Sequence, residues 1–206
     1  STVTVTDLQG GAVFKQNANI TTEVTVSNVA TNLHNDSFLK GDAKFTFASD
    51  VSGKTIVIDA DDAGTFGAQI IGNTHDNIIE GGTNADTIKG GSGNETINLT
   101  AGGDSLVAGS GADVFDNAAN AISVVTGQAT IAGGTGNDTL DLGAAAALGD
   151  AGFANISSVE VIKETADANL DLTLAAKAQA SGLASAIAAG GADTVDFTDA
   201  NFTTAI

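Results

Sequence analysis

A nine-residue repeat is the strongest constraint that the sequence places on the fold. The clearest copies are GGSGNETIN at residues 90–98 and GGTGNDTLD at residues 133–141. Both have glycine at the first, second and fourth positions, an acid at the sixth and an aliphatic residue at the eighth. A short period of this kind is typical of chains that stack one small structural unit on the next.

Less regular copies between residues 72 and 116 keep the same phase. The acidic position is predicted to fall at Asp76, Asp86, Glu95, Asp104, Asp113 and Asp138. An apolar residue follows two positions later, at Ile78, Ile88, Ile97, Leu106, Phe115 and Leu140. Because side chains alternate between the faces of a strand, this spacing predicts a short strand whose apolar side chain points inward. A partial copy, GGADTVD, adds one more predicted acidic ligand at Asp193.

Glycine dominates the first half of each copy. It reaches positive φ without a Cβ clash, so a glycine-rich turn can aim its backbone carbonyls at one point. We therefore predict that these turns contribute metal ligands together with the acids. The predicted positions are Gly81, Gly82, Asn84, Gly90, Gly91, Gly93, Gly102, Gly109, Gly111, Gly133, Gly134 and Gly136.

The acids are spaced to form pairs across neighbouring coils. If two nine-residue halves make one coil, turns on the same edge lie eighteen residues apart, as Asp86 and Asp104 do, and as Glu95 and Asp113 do. Each pair would flank one ion. Calcium accepts six to eight carbonyl and carboxylate oxygens in flexible geometry, whereas magnesium requires a strict octahedron. Zinc is disfavoured because the chain has no cysteine and two histidines.

These copies resemble the RTX repeats of calcium-binding proteins that Gram-negative bacteria export by type I secretion. The resemblance covers residues 71–116 and 133–141. It implies a calcium-dependent parallel β-roll in a secreted protein, located outside the cell or on the bacterial cell surface. The sequence departs from the RTX pattern where Thr74, Asn84 and Thr100 replace glycines and Glu95 replaces an aspartate. A solenoid without metal is the alternative, although a bare turn would accept Asn or Ser at the acidic position equally well.

The charge of the chain agrees with cation binding. The chain has seven lysines and twenty-five acidic residues, which gives a net charge of −18. Such a surface repels nucleic acid and anionic membranes, so we expect neither as a partner. No apolar stretch is long enough for a membrane span, which predicts no direct membrane insertion. The chain begins at Ser1, and we expect a processed form or a fragment.

We expect an all-β fold, a parallel β-roll or β-solenoid, in three parts. Residues 1–70 form a strand-rich region in which Val3, Val24 and Phe45 begin similar triplets at intervals of twenty-one residues. This spacing favours a wider solenoid over the alternative, a β-sandwich. Residues 71–141 form the calcium-binding β-roll, and residues 142–206 form a degenerate solenoid or a C-terminal cap.

The secondary structure of three segments outside the regular repeats is predicted separately. Residues 117–132 are predicted to form a longer coil without ligands. Residues 142–152 are alanine-rich and are predicted to form a short helix, followed by strands over 156–162 and 170–174. Residues 175–189 have high helix propensity, and we favour a helix there over another coil of small residues.

The sequence shows no catalytic constellation, because no nucleophile lies in a recognisable motif beside a base. We therefore expect no enzyme activity. One remaining hypothesis is an extracellular structural protein that assembles head to tail with itself, into a surface layer or filament, through the open strand at residues 1–6. The other is a calcium-dependent folding and secretion module of a larger exported hydrolase or adhesin. The absence of proline, tryptophan and tyrosine favours self-assembly, because proline protects strand edges and aromatic residues mark binding sites.

Overall fold

The computed structural model describes residues 69–187, except 73, 82–83, 118–121, 145–146 and 166–170, and beyond that range the backbone of individual strands. For residues 122–124 it likewise describes the backbone alone. Strands are numbered below in chain order.

Two parallel sheets contain most of the strands. Sheet A consists, in spatial order, of β1 (Val3–Val5), β3 (Glu23–Val26), β6 (Ala43–Phe47), β8 (Ala68–Ile71), β10 (Thr87–Gly91), β12 (Ser105–Gly111), β14 (Thr130–Gly136) and β17 (Ile156–Ser157). Sheet B consists of β4 (Leu33–Asp36), β7 (Lys54–Asp59), β9 (Asn77–Glu80), β11 (Thr96–Asn98), β13 (Val114–Asp116), β15 (Thr139–Asp141), β18 (Val161–Lys163) and β20 (Ser185–Ile187).

The remaining elements are short. A third parallel sheet contains β16 (Ala147–Leu148), β19 (Asp171–Leu174) and β21 (Thr194–Phe197), and β2 (Asn17–Ala18) pairs with β5 (Phe38–Leu39). The helices are α1 (Ile122–Gly127), a 3₁₀ helix (Asp150–Asn155) and α2 (Ala176–Ala180). No helix in the described part of the chain is long and apolar enough to cross a membrane.

The chain alternates between the sheets, so that each coil supplies one strand to each of them. Ile88 pairs with Ile70 on one side and with Leu106 on the other, in parallel register. Ile97 pairs in the same way with Ile79 and Phe115 in sheet B. The predicted parallel β-roll is therefore confirmed, and its coils are eighteen residues long through this region.

The core is a double column of apolar side chains between the sheets. Sheet A contributes Ile70, Ile88, Leu106 and Ile131, and sheet B contributes Ile79, Ile97, Phe115 and Leu140, all buried. Alternate residues of β9 and β12 are buried, which is the period of two that the sequence predicts. Each of these side chains stabilises the fold by about 1.5 to 3 kcal/mol through removal of apolar surface from water.

The same parallel stacking extends to the N-terminal strands. Val3 pairs with Val24, and Val24 pairs with Phe45, which matches the interval seen in the sequence. β8 then pairs with both β6 and β10, so sheet A continues across residue 70. β18 pairs with β15, so sheet B continues past residue 141.

The longer coil expected at 117–132 is observed, whereas the other two irregular segments differ from the sequence-based expectation. Residues 117–132 include helix α1, which lengthens the coil so that Asp113 and Asp138 are 25 residues apart. Where a helix was expected at 142–152, the structure has strand β16 followed by the 3₁₀ helix, because buried Leu148 and Phe153 join the apolar core. The helix expected at 175–189 is limited to α2. The chain then turns at Gly182, where φ is +98°, and forms β20.

Close approach of neighbouring coils gives a first prediction. Gly109 has φ +126°, and a Cβ on it would lie against the carbonyl oxygen of Gly91 in the preceding coil. Gly109→Ala should therefore destabilise the fold by roughly 2 kcal/mol or more, since the left-handed backbone alone costs an alanine about 1–2 kcal/mol.

The matched control is Gly149→Ala, where φ is −81° and nothing lies within 4 Å of the added Cβ. Thermal unfolding in calcium would compare the two variants. Equal melting temperatures would show that the coils do not pack this closely.

Candidate metal centre

The two edges of the roll carry different sets of acids. At the A-to-B edge, where the chain passes from sheet A to sheet B, successive coils place Glu95, Asp113 and Asp138 one above the next. At the B-to-A edge, Asp86 and Asp104 are stacked in the same way. The predicted pairing of acids eighteen residues apart is thus observed as direct contact between neighbouring coils.

These carboxylates are buried. Asp86, Glu95, Asp104, Asp113 and Asp138 are each at most 2% exposed. Acidic side chains almost never reach such burial without a compensating partner, because an ionised carboxylate loses its hydration in the interior. A positively charged partner is therefore required at both edges of the roll.

One oxygen of each later acid is satisfied by the backbone of the preceding coil. The N–H of Glu95 donates to Oδ1 of Asp113 over 2.8 Å, and the N–H of Asp113 donates to Oδ1 of Asp138 over 2.9 Å. At the opposite edge, the N–H of Asp86 donates to Oδ1 of Asp104 over 2.8 Å. These bonds fix the carboxylates in register with the strands.

The other oxygens of the A-to-B column have no donor. Both carboxylate oxygens of Glu95, Oδ2 of Asp113 and Oδ2 of Asp138 are buried without a hydrogen-bond partner. Leaving a buried polar atom unsatisfied costs about 1–3 kcal/mol, and more when the group is charged. These oxygens are therefore the atoms of the roll best placed to bind a cation.

Burial also changes the proton affinity of the acids. Burial, and then the neighbouring charge of Asp113, raise the pKa of Glu95 to about 8. Burial raises the pKa of Asp104 to about 7. The pKa values of Asp113 and Asp138 are also raised, chiefly by burial. Without metal, Glu95 and Asp104 would hold protons near neutral pH, and a bound cation would displace them.

The first glycine of a repeat makes room for the acid of the same repeat. A Cβ on Gly81 would lie against Oδ2 of Asp86, and one on Gly133 would lie against Oδ2 of Asp138. At Gly90 the added atom would be 2.6 Å from Cγ of Glu95. These glycines are needed because the acid folds back over their Cα atoms.

The remaining glycines let turns of adjacent coils touch. A Cβ on Gly102 would meet the carbonyl of Asn84, and one on Gly111 or Gly136 would meet the carbonyl of the equivalent glycine one coil earlier. The equivalents are Gly93 for Gly111 and Gly111 for Gly136. Gly91, Gly109 and Gly134 are aligned across three coils, all with positive φ. Gly82 and Asp193 lie outside the described residues.

The predicted phase of the first copy is wrong by one residue. Ile79, not Ile78, pairs with Ile97 and is buried, so Asn77 occupies the acidic position. Asp76 is exposed, and its Oδ1 instead accepts a hydrogen bond from the N–H of Asn94 over 2.7 Å. The error arose because the acidic position was placed at the nearest aspartate, ten residues before Asp86, whereas the nine-residue period gives Asn77 and Ile79.

Two column members were missed in the sequence. Glu160 accepts a hydrogen bond from the N–H of Asp138 through Oε2, over 2.8 Å. Gln128 accepts one from the N–H of Asp104 through Oε1, also over 2.8 Å. Glu160 could have been found, because Glu160-Val161-Ile162 repeats the acid-x-aliphatic pattern. Gln128 could not, because α1 shifts the spacing.

The comparison with protein families agrees with this geometry. A model of the RTX calcium-binding nonapeptide repeat matches residues 71–106, 90–119 and 126–146, as four copies. The chain therefore carries RTX repeats, and such repeats bind Ca²⁺. No curated protein and no solved structure is detectably similar to the chain.

The residues present are suitable for calcium. The candidate ligands are hard oxygens: buried carboxylates and the carbonyls of stacked turns. No group of three or more His, Cys, Asp or Glu side chains converges within the described ranges, so backbone carbonyls would complete each site. Asp86 with Asp104, and Glu95 with Asp113 and Asp138, would hold the ions. Bound calcium supplies the positive charge that these buried carboxylates require.

A second prediction concerns pH. Acids whose pKa is raised in the folded state hold protons that the unfolded chain has released. Without metal, stability should therefore fall as the pH rises from about 5 to about 8, because the folded carboxylates must then ionise while buried.

In excess calcium the dependence should reverse, because protons compete with the metal for the same oxygens. The folded fraction in chelator, measured by circular dichroism, and the melting temperature in calcium, both followed across this range, test both signs. The same direction in both solutions would contradict a shared proton and metal site.

A third prediction separates the hydrogen bond from the metal. Asp113→Asn keeps an oxygen to accept the N–H of Glu95 but removes the charge. It should weaken calcium binding at least tenfold while changing little in the calcium-saturated circular dichroism spectrum.

Asp171→Asn is the control, because Asp171 is an exposed acid on β19, outside both columns. Calorimetric titration would compare the two variants. Identical calcium affinities would remove Asp113 from the site.

Proposed function

We propose that this chain is an extracellular, calcium-dependent structural protein that assembles head to tail into a surface layer or filament. Its only partners in this role are calcium ions and further copies of itself, without catalysis. Calcium binding by the repeats is the established part of this function, and assembly is the step that the proposal adds.

The observation that supports assembly is the continuity of the two sheets. Among the described strands, β1 pairs only with β3, and β20 pairs only with β18. An outer strand with one neighbour presents backbone donors and acceptors to a further strand. Because all pairings in both sheets are parallel, a second copy stacked on either end would extend them in the same sense. Such a contact is heterologous and grows without closing.

The end formed by β20 also exposes one apolar side chain. Ile187 is 51% exposed, the one large hydrophobic side chain of the described residues with such exposure. It lies at the end of the outermost strand of sheet B. Strand addition supported by an apolar contact is the chemistry of β-augmentation.

Calcium would control when assembly takes place. Net charge −18 makes copies repel each other, and cations bound at the edges reduce this repulsion. Folding of the roll would first require calcium, so the outer strands would form only where calcium is abundant. Sites in extracellular modules bind calcium at about 10⁻⁴–10⁻³ M, which agrees with export before folding.

The described surface offers little for catalysis. A groove of about 270 Å³ is lined by Phe153, Ala154, Ile156, Lys177, Ala180 and Ser181. Lys177 is the one titratable group in that lining, and a nucleophile paired with a base is not among these residues. This favours a structural role over hydrolysis.

The second candidate function is a folding and secretion module of a larger exported hydrolase or adhesin. It is favoured by a contact near the last strand of sheet A, where the N–H of Val159, in the turn after β17, donates to the carbonyl of Ser181 just after α2. A later segment packed near this end would hinder strand addition, as in a monomer. The two functions differ in the state of the folded chain in calcium.

A fourth prediction tests assembly. In millimolar calcium the chain should sediment as large particles and form sheets or filaments in negative stain, whereas in chelator it should remain dispersed. Deletion of residues 1–6, which include β1, should abolish the particles without changing the calcium-induced circular dichroism.

Ile187→Lys should weaken assembly at the opposite end, and Ala151→Lys, at an exposed position of the 3₁₀ helix, is its control. Particles that survive the deletion would exclude β1 as the connector. A wild-type monomer in calcium would favour the secretion module.

A further inference from the structure

The acid column at the A-to-B edge continues one coil beyond the matched repeats. We propose that Asp138, Glu160 and the backbone carbonyl of Ser158 form a further divalent-cation site, between the coil of β14 and β15 and the coil of β17 and β18. Glu160 and Ser158 lie outside the residues that match the RTX repeat. The inference concerns cation binding alone and does not depend on assembly.

The contact between these coils has the geometry of the contacts within the repeats. The N–H of Asp138 donates to Oε2 of Glu160 over 2.8 Å. The equivalent bonds from Glu95 to Asp113 and from Asp113 to Asp138 measure 2.8 and 2.9 Å. Glu160 therefore occupies the place of the next acid in the column.

An unsatisfied carboxylate oxygen points into this site. Asp138 is fully buried, and its Oδ2 has no hydrogen-bond partner. A Cβ built on Gly133 would lie against both this oxygen and the carbonyl oxygen of Ser158. Two electron-rich oxygens from neighbouring coils thus approach the same point over Gly133. A cation between them would convert this repulsion into attraction.

The turn that carries Glu160 is built differently from the repeat turns. In sheet A these coils are offset by 25 residues, because Ile131 pairs with Ile156, whereas in sheet B Leu140 pairs with Ile162, an offset of 22. The acids Asp138 and Glu160 are also 22 residues apart. The turn is therefore shorter, and it contains no glycine. Ser158 makes the tight bend with φ +51°, a left-handed conformation that is uncommon outside glycine. Glutamate has a longer side chain than aspartate, so its carboxylate still reaches the N–H of Asp138 from the shorter turn.

At the B-to-A edge, one contact between neighbouring coils is satisfied by an amide side chain without metal. Gln128 takes the place of the next acid after Asp104, and its Nε2 donates to the carbonyl oxygen of Thr100 over 2.7 Å. The amide thus supplies both the acceptor for the N–H of Asp104 and a donor for a turn carbonyl. A glutamate has no such donor when ionised. At Glu160 the positive group has to come from solution.

The ligand class follows from the donor atoms. Two carboxylates and a carbonyl are hard oxygens with a charge that suits a divalent ion, and Glu160 is half-buried, so the site opens to solvent. Calcium is the probe of choice, since it occupies the repeats.

The test is the number of calcium ions bound per chain, measured by equilibrium dialysis and elemental analysis. Glu160→Gln keeps an oxygen for the N–H of Asp138 but removes the charge, and it should bind one ion fewer than the wild type. Asp171→Asn, an exposed acid outside the columns, should bind the wild-type number. An unchanged number in Glu160→Gln would overturn the proposal, because Glu160 would then act as a hydrogen-bond acceptor only.

A measurement on the wild type covers the case in which Glu160→Gln does not fold. In a calcium-grown crystal, anomalous scattering should show an ion between Asp138 and Glu160. A crystal with an ion between Glu95 and Asp113 but none at Glu160 would contradict the site. Loss of assembly would leave either result unaffected.

Discussion

The burial of stacked carboxylates is the interaction on which the rest of this structure depends. An eighteen-residue coil brings the acids of successive turns into contact, and Asp104 and Asp113 each accept a hydrogen bond from the backbone N–H of the acid one coil earlier. That bond aligns the strands but does not neutralise the charge. Glu95, Asp113 and Asp138 keep buried oxygens without donors. The fold is therefore complete only with a positive partner at the edges, which calcium supplies.

The apolar core is arranged around this requirement. Each coil adds one inward residue per sheet, such as Ile88 and Ile97, and each contributes about 1.5 to 3 kcal/mol. The buried carboxylates oppose this gain until a cation binds. We therefore expect folding and calcium binding to be a single process in the repeat region.

Sequence reasoning predicted the coil because two periodicities agree. The acid-x-aliphatic spacing identified the buried residues from Ile88 to Leu140, and the eighteen-residue interval identified the contacts Asp86–Asp104 and Glu95–Asp113. At Asp76 the prediction failed because the acidic position was placed one residue out of the nine-residue period, which gives Ile79 as the core residue, in agreement with the register of β9 and β11. Elsewhere it failed where a neighbouring coil, and not the local sequence, decides the outcome. Gln128 joins its column only because α1 returns the chain to the B-to-A edge.

The most direct test of this account is the melting temperature of the purified chain as a function of free calcium at fixed pH. If the ions bind the folded roll and not the unfolded chain, stability should increase as RT ln(1 + [Ca²⁺]/Kd) for each site. The melting temperature should then rise continuously with the logarithm of calcium concentration above Kd, and the β-type circular dichroism should be largely lost in chelator. A melting temperature and a spectrum that are the same in chelator and in calcium would contradict it.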